Sequence, residues 1–310
     1  MTTEQRPSPD ALLIVGSMAF DDLDLPSGAA RDVVGGSATY AAVAASLYAP
    51  ARIVAVVGED FPADTLTMLG SRGVDCEGVE RAQGKTFRWA GRYAANLASR
   101  ETLDTQLNVF ADFRPKLPEH YRDSKIVLLG NIHPTLQLEV LAQTRSPKLV
   151  VADTMNFWIS GERKTLLQML SKVDALVVND EELRQLAEDH NLKRAARTVL
   201  GMGPKLLIVK RGDAGAMLFD GDGTFFAPAY PLESEMDPTG AGDTFAGAIL
   251  GFLSRAPRID HAAWRQALLV GATVASFCVE GVGNSALVEL THAKLAARLR
   301  ELHGLLTVDA

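Results

Sequence analysis

Between residues 237 and 247 the chain reads Asp-Pro-Thr-Gly-Ala-Gly-Asp-Thr-Phe-Ala-Gly. Residues of these types, in this order, can handle a transferring anion. Gly240 and Gly242 flank Ala241, so the backbone can turn tightly and come close to a ligand. A helix is expected over 242–254. Its free first N–H groups and the positive end of its dipole make an anion site. Asp243 places a carboxylate at the mouth of that site. Donors for a phosphoryl group, beside a base for a hydroxyl proton, are what phosphoryl transfer to an alcohol requires. Each part also has a plain use, because an Asp caps a helix and paired glycines make a turn. Asp237, Thr239 and the small face Gly242, Ala246 and Gly247 extend the pattern beyond those uses.

Other residues could serve the same chemistry. Asp21 follows the first apolar run through Gly16-Ser17-Met18-Ala19-Phe20. A carboxylate at the carboxyl end of a buried strand can accept hydrogen bonds from two hydroxyls; Asp22 and Asp24 compete for that role. Gly35-Gly36 opens an alanine-rich helix. Asn179 and Glu182 have the spacing of a capping box. Lys210, Arg211 and Gly212 end a strand, where a cation could meet phosphate oxygens. Phe87, Trp89, Tyr93 and Phe110 could stack on a ligand or pack a small sheet of their own. Arg88 and Arg92 could bind an anion or sit as exposed strand residues. The six histidines show no metal-ligand spacing, and there is no glycine-rich loop ending in Lys-Ser/Thr.

The elements that must position these residues follow a crossover rhythm. Strands are expected at Leu12 to Val15, Arg52 to Val57, Ile126 to Leu129, Leu149 to Ala152, Ala175 to Val178 and Leu206 to Val209. Helices are expected at about 37–48, 62–72, 134–144, 162–172, 180–189, 242–254, 261–279 and 291–303. That alternation implies a parallel sheet with helices on both faces. Hairpin-like pieces lie near 215–219 and 224–227. Two stretches break the rhythm. One is 19–34, polar and turn-rich. The other is 85–113, where residues 86–93 and 107–110 alternate as strands with one wet face.

The chain has 310 residues, and 47% are hydrophobic, enough for a sizeable core. Its net charge of −7 argues against a nucleic-acid surface. Two distant cysteines, Cys76 and Cys278, suggest reduced thiols and a cytoplasmic location. No apolar run approaches membrane-spanning length. Residues 1–10 read as a short disordered lead-in, and 11–310 as one α/β domain.

The string from Asp237 to Gly247 resembles the C-terminal motif of the ribokinase-like (PfkB) carbohydrate and nucleoside kinases. The two interruptions, 19–34 and 85–113, fall where that family has a small β-sheet lid, so the resemblance spans about 11–290. It implies a doubly wound, mostly parallel sheet flanked by helices, with ligands at the carboxyl ends of the strands. It implies Asp243 as catalytic base and the Gly240, Ala241 and Gly242 amides as anion hole. Asp21, Gly35 and Gly36 match acceptor-binding positions. Tyr40 stands where the family usually has an Asn, which weakens any inference of substrate by analogy. Asn179, Lys210 and Gly212 match the nucleotide side, and Glu182 the Mg²⁺ side. Asp153 and Asn156 match a phosphate-side loop loosely. The cofactors implied are ATP and Mg²⁺, with a monovalent cation near Asp237 and Thr239. The acceptor expected is a primary hydroxyl on a free sugar, with a nucleoside as the alternative. A catalytically silent sensor on the same fold is a further alternative, and a homodimer through the lid a further expectation. A dinucleotide-binding oxidoreductase is disfavoured, because Gly16-Ser17-Met18-Ala19 is not a Gly-x-Gly-x-x-Gly turn.

Overall fold

A computed structural model describes residues 11–97 and 99–307; the lead-in expected over 1–10 lies outside them. Thirteen strands are present among the described residues: β1 (Leu12–Val15), β2 (Ala19–Leu25), β3 (Gly28–Gly35), β4 (Ala51–Val57), β5 (Val74–Arg81), β6 (Phe87–Tyr93), β7 (Arg100–Gln106), β8 (Ile126–Leu129), β9 (Leu149–Asp153), β10 (Ala175–Asn179), β11 (Leu206–Lys210), β12 (Ala216–Asp220) and β13 (Gly223–Ala227). Nine of them form one sheet, in the order β13-β12-β11-β10-β9-β8-β1-β4-β5. The run from β11 to β5 is parallel throughout, and β12 and β13 add an antiparallel edge.

The β1 sequence shows why this sheet is central. Its residues alternate between two apolar cores, Leu12 and Ile14 in one, Leu13 and Val15 in the other. All four are fully buried. A strand sandwiched between two helix layers carries no polar face. Strand order reverses around β1, which lies between β8 and β4. In doubly wound sheets, ligands gather outside the carboxyl ends at such a point.

The remaining strands form a separate sheet, ordered β3-β2-β6-β7. Its outer pairs are antiparallel and its central pair, β2 with β6, is parallel. Both interruptions of the core rhythm therefore meet in one small sheet.

Three details depart from expectation. Residues 107–110 are not a strand: Asn108–Asp112 is a 3-10 helix. Phe110 stacks between Phe87 and Phe113 there, at 5.3 and 5.5 Å, so its apolar spacing serves a compact aromatic cluster. The last strand of the small sheet is instead Arg100–Gln106, exposed along its whole length and held by its ladder to β6. The helix expected over 162–172 is present as Arg163–Leu170, and a short helix that was not expected, Asn156–Gly161, precedes it. Strand β5 and the helix Leu192–Leu200 complete the alternation where no element was expected.

Candidate active site

The carboxyl ends of β1, β9, β10 and β11 open onto one cleft. The helix Ala241–Leu253 points its N-terminus into it. Gly240 is the residue before that helix and has φ +73, a left-handed conformation that favours glycine. A Cβ at Gly240 would run into the Tyr40 ring. The loop can therefore lie flat on Tyr40 only because that position has no side chain. Tyr40 is 1% exposed. Its buried hydroxyl has no hydrogen-bond partner among the described residues. It sits beneath the loop, and its ring supports Gly240.

Asp243, in the first turn of that helix, faces a set of charges drawn from separate strands. Lys210, at the end of β11, reaches the Asp153 carboxylate at 3.3 Å. Its ammonium packs 2.9 Å from where a Cβ on Gly242 would stand. Burial would lower the Lys210 pKa, but Asp153, Glu182 and Asp243 outweigh it and hold the ammonium charged. Asp243 itself is pushed from 3.8 up to about 7, chiefly by burial and then by Asp153, against the pull of Lys210 and Arg100. A carboxylate with a pKa near neutrality is a competent general base.

Asn179 and Glu182 form the expected capping box. Asn179 Oδ1 accepts the Glu182 N–H at 2.7 Å, and Glu182 Oε2 accepts the Asn179 N–H at 2.8 Å. Burial, with Asp153 adding to it, raises the Glu182 carboxyl against the opposing pull of Lys210. Gly212 opens a short 3-10 turn beyond β11. Asn156 begins the helix Asn156–Gly161, where its Oδ1 accepts the Phe157 N–H.

The opposite wall comes from the small sheet. The side chains of β2 resolve the choice among its three aspartates. Asp22 pairs with Arg88 at 3.0 Å, and Asp24 with Arg31 at 2.6 Å and Arg92 at 3.4 Å. Asp21 lies on the other face and is 5% exposed. Its carboxylate fills the space where a Gly35 side chain would stand. Burial first, then Asp237, Asp243 and Asp22, push Asp21 up to about 7. Asp21 and Asp243 are thus within electrostatic reach of each other across the cleft. Gly36, with φ +93, caps the helix Ser37–Ala45 that runs beneath.

On the same face as Asp21, Trp89 is its partner in the β2–β6 register. The indole lies along Gly91, its N–H donating to Thr102 Oγ1 at 3.3 Å. Tyr93, further along β6, makes a 2.9 Å hydroxyl–hydroxyl hydrogen bond with Thr239. That bond ties the small sheet to the glycine loop before the helix Ala241–Leu253. Asp237 is 1% exposed and fixes the same loop: its oxygens accept the N–H groups of Thr239 and Gly283, each at 2.9 Å.

The fold therefore gathers Asp21, Gly35, Gly36, Tyr40, Glu182, Lys210 and residues 240–243 from across the chain. Of the aromatic residues, Trp89 and Tyr93 face the cleft, whereas Phe87 and Phe110 stack on each other away from it. One charged group was not anticipated. Arg100, the first residue of β7, is paired in register with Tyr93, and its guanidinium lies 5.9 Å from the Trp89 ring centroid. No periodicity marks it, because β7 is exposed throughout.

Comparison with known proteins agrees with this geometry. Residues 14–290 match the model of the pfkB family carbohydrate kinases. A cytidine kinase from Thermococcus kodakarensis is 31% identical over 255 residues, 81% of this chain and 91% of that protein. A nucleoside kinase from Burkholderia thailandensis, solved with inosine, superposes with TM-score 0.77 at 23% identity, covering 95% of this chain and 98% of that one. A putative ribokinase II from E. coli, solved with ATP and Mg²⁺, superposes with TM-score 0.71 at 20% identity, covering 96% and 99%.

Proposed function

Because the chain belongs to the pfkB family of carbohydrate kinases, ATP-dependent enzymes that phosphorylate a hydroxyl, we propose that it transfers the γ-phosphoryl group of ATP to the primary hydroxyl of a nucleoside. One observation carries the transfer step: a carboxylate raised to about 7, Asp243, in the first turn of a helix whose N-terminus opens on the same cleft. Asp243 accepts the proton as the acceptor oxygen attacks phosphorus, and the electron pair of the breaking P–O bond passes to ADP. The amides of Gly240, Ala241 and Gly242 hold the charge on the phosphoryl oxygens. Asp21 accepts hydrogen bonds from the acceptor's hydroxyls and sets its angle of attack.

The nucleoside reading rests on Trp89, a part-exposed indole beside Asp21 on the cleft face of the small sheet. A ring there can stack on a nucleobase while Asp21 holds the sugar. The cytidine kinase relative, aligned along most of both chains, supports it. A free sugar, the acceptor expected from sequence, is the second reading, favoured by the same Asp21.

The residues present fit Mg²⁺. Asp153 and Glu182 flank one ammonium, Lys210, and only one Glu182 oxygen is committed to the capping box. A divalent cation held there would neutralise charge on the ATP phosphates. Asp237 and Thr239 are the place for a monovalent cation, since each Asp237 oxygen keeps a lone pair beyond its amide contact.

A panel of nucleosides and sugars with ATP and Mg²⁺, read as ADP release, tests the acceptor. Asp243→Asn tests the base. The near-isosteric amide should leave ATP binding intact and lower turnover at least ~10²-fold. Wild-type kcat/KM should climb with pH through about 7 and then level, as the Asp243 carboxyl ionises. Near wild-type turnover in the variant would reduce Asp243 to a helix cap.

A further inference from the structure

A cluster of ligating side chains lies at the other end of the main sheet from the cleft. Asp75 and Glu77 stand near the start of β5, the outermost strand of that sheet. Asp75 pairs in register with Arg52, near the start of β4. Both carboxylates are therefore toward the amino ends of the strands, whereas the cleft opens at the carboxyl ends. A bulge shapes β5 here. Arg52 pairs with Asp75 and Val54 with Gly78, so Cys76 and Glu77 together oppose one residue of β4. Cys76 packs against the apolar core. Glu77 is exposed, and its N–H donates to Asp75 Oδ1 at 3.0 Å.

The third member comes from 45 residues beyond Asp75, so no spacing in the sequence marks it. His120, in the 3-10 turn Glu119–Tyr121, brings Nε2 to 3.0 Å from Asp75 Oδ2 and 4.0 Å from Glu77 Oε2. The three ligand atoms all lie within 4.8 Å of one another. Two donors bound to one Zn²⁺ at roughly 2.0–2.2 Å stand about 3–4 Å apart. Closing in the exposed Glu77 side chain is all that the set requires. The other two members are held in place by Tyr121, which is fully buried. Its hydroxyl donates to the Asp75 carbonyl at 2.9 Å and accepts the Gly78 N–H at 3.3 Å. Its ring stands edge-on to the His120 ring at 4.7 Å. Burial would raise the Asp75 carboxyl, but His120, the Glu77 N–H and Tyr121 outweigh it and keep it ionised. An imidazole nitrogen aimed between two carboxylates, with its ring oriented by a neighbour, is a donor set for a first-row divalent ion. A similar trio, Asp220, Asp222 and His261, suits one less well. Both His261 nitrogens are engaged there, Nδ1 with Asp220 at 2.7 Å and Nε2 as acceptor from Arg265 at 2.8 Å, which sets a guanidinium beside the ring.

We propose that Asp75, Glu77 and His120 bind one divalent transition ion of the Zn²⁺ type, separate from the Mg²⁺ of the ATP side, and that this ion staples β5 to the Glu119–Tyr121 turn. His120 binds through Nε2 as the neutral ring, with its hydrogen on Nδ1, and water completes the coordination. Between Glu77 and His120 the chain runs out through β6 and β7 and back. The ion therefore closes the base of the longer excursion into the small sheet. A ligand that holds two distant chain segments together in the folded state alone stabilises that state. The site stands apart from the kinase reading, since it lies away from the cleft.

The test uses full-length protein freed of metal with a chelator and then kept in excess Mg²⁺, which occupies the carboxylates of the cleft. Calorimetry follows uptake of Zn²⁺. Wild type should bind one ion per chain that His120→Gln does not bind, and Zn²⁺ should raise the wild-type melting temperature by a few degrees. Glu77→Gln changes a side chain that is 65% exposed and should not disturb folding. It should weaken uptake at least ~10-fold and shrink the melting shift to match. His261→Gln, in the rival trio, should change neither. X-ray absorption at the zinc edge should show nitrogen and oxygen ligands at ~2.0–2.2 Å, with imidazole scattering that His120→Gln removes. Uptake that is unchanged in His120→Gln or in Glu77→Gln would overturn the proposal. So would uptake lost in His261→Gln instead, or a wild-type melting temperature that Zn²⁺ does not raise.

Discussion

Among single residues, Asp21 shows most plainly how burial is used. It is 5% exposed, accepts no hydrogen bond from a side chain of the described residues, and faces Asp237 and Asp243. Its carboxyl rises from 3.8 to about 7 in the folded protein, so the native state holds its proton more tightly than the unfolded chain. The stability this contributes is complete below about 3.8 and is lost as pH rises through about 7. Asp21→Asn cannot ionise and escapes that loss. It should therefore melt higher than wild type at pH 8, by several degrees, with the gap closing toward pH 4. The same variant should lose acceptor phosphorylation. Calorimetric melts at the two pH values decide the matter, and a gap that does not change with pH would mean that Asp21 is not strained by ionisation. A residue held at a cost to stability is what a binding carboxylate requires.

At the scale of elements, the helix Asp180–Ala187 carries two duties at its first turn. The reciprocal bonds of Asn179 and Glu182 satisfy two otherwise orphaned donors. The same Glu182 carboxylate is buried beside Lys210 and Asp153. Gln can complete the box but carries no charge. Glu182→Gln should raise the Mg²⁺ concentration needed for half-maximal turnover and lower turnover itself, with a smaller effect on thermal stability. A Mg²⁺ titration that superposes on wild type would leave this helix only its cap. The helix Ala241–Leu253 is positioned by packing of another kind. Gly247 and Gly251 lie against the backbone of Ala41 and Ala45. Small residues bring two helices close enough for Gly240 to rest on Tyr40, so the loop's height over the cleft is set about two and three turns away from it.

For the molecule as a whole, the small sheet is the part with the least apolar packing of its own. Among the described residues its own apolar cluster has only Leu23, Leu25 and Tyr93 buried, whereas the main sheet is packed on both faces. Opening it locally should cost much less than opening the core. Hydrogen exchange should show faster exchange at 85–113 than at the central strands in the free protein, and protection there on adding the true acceptor, more than with ATP alone. Equal protection of both sheets with and without acceptor would mark the small sheet as rigid. The division of labour between sequence and tertiary structure follows from range. The apolar runs that became β1, β4, β8, β9, β10 and β11, and the Asp-Pro-Thr-Gly-Ala-Gly-Asp turn, could be read directly, because burial on both faces and turn chemistry are written in neighbouring residues. The fold class followed from their order, and the kinase family from the resemblance that the turn carries. Strand β7 could not be read, since its residues are exposed and only the partner strand makes it extended. Nor could the 3-10 helix Asn108–Asp112, whose aromatic spacing imitates a strand. Which of Asp21, Asp22 and Asp24 faces the cleft depended on arginines far along the chain. The raised carboxyls of Asp21 and Asp243, and the place of Arg100 over Trp89, depend on groups from separate strands meeting in a space that only the folded chain encloses.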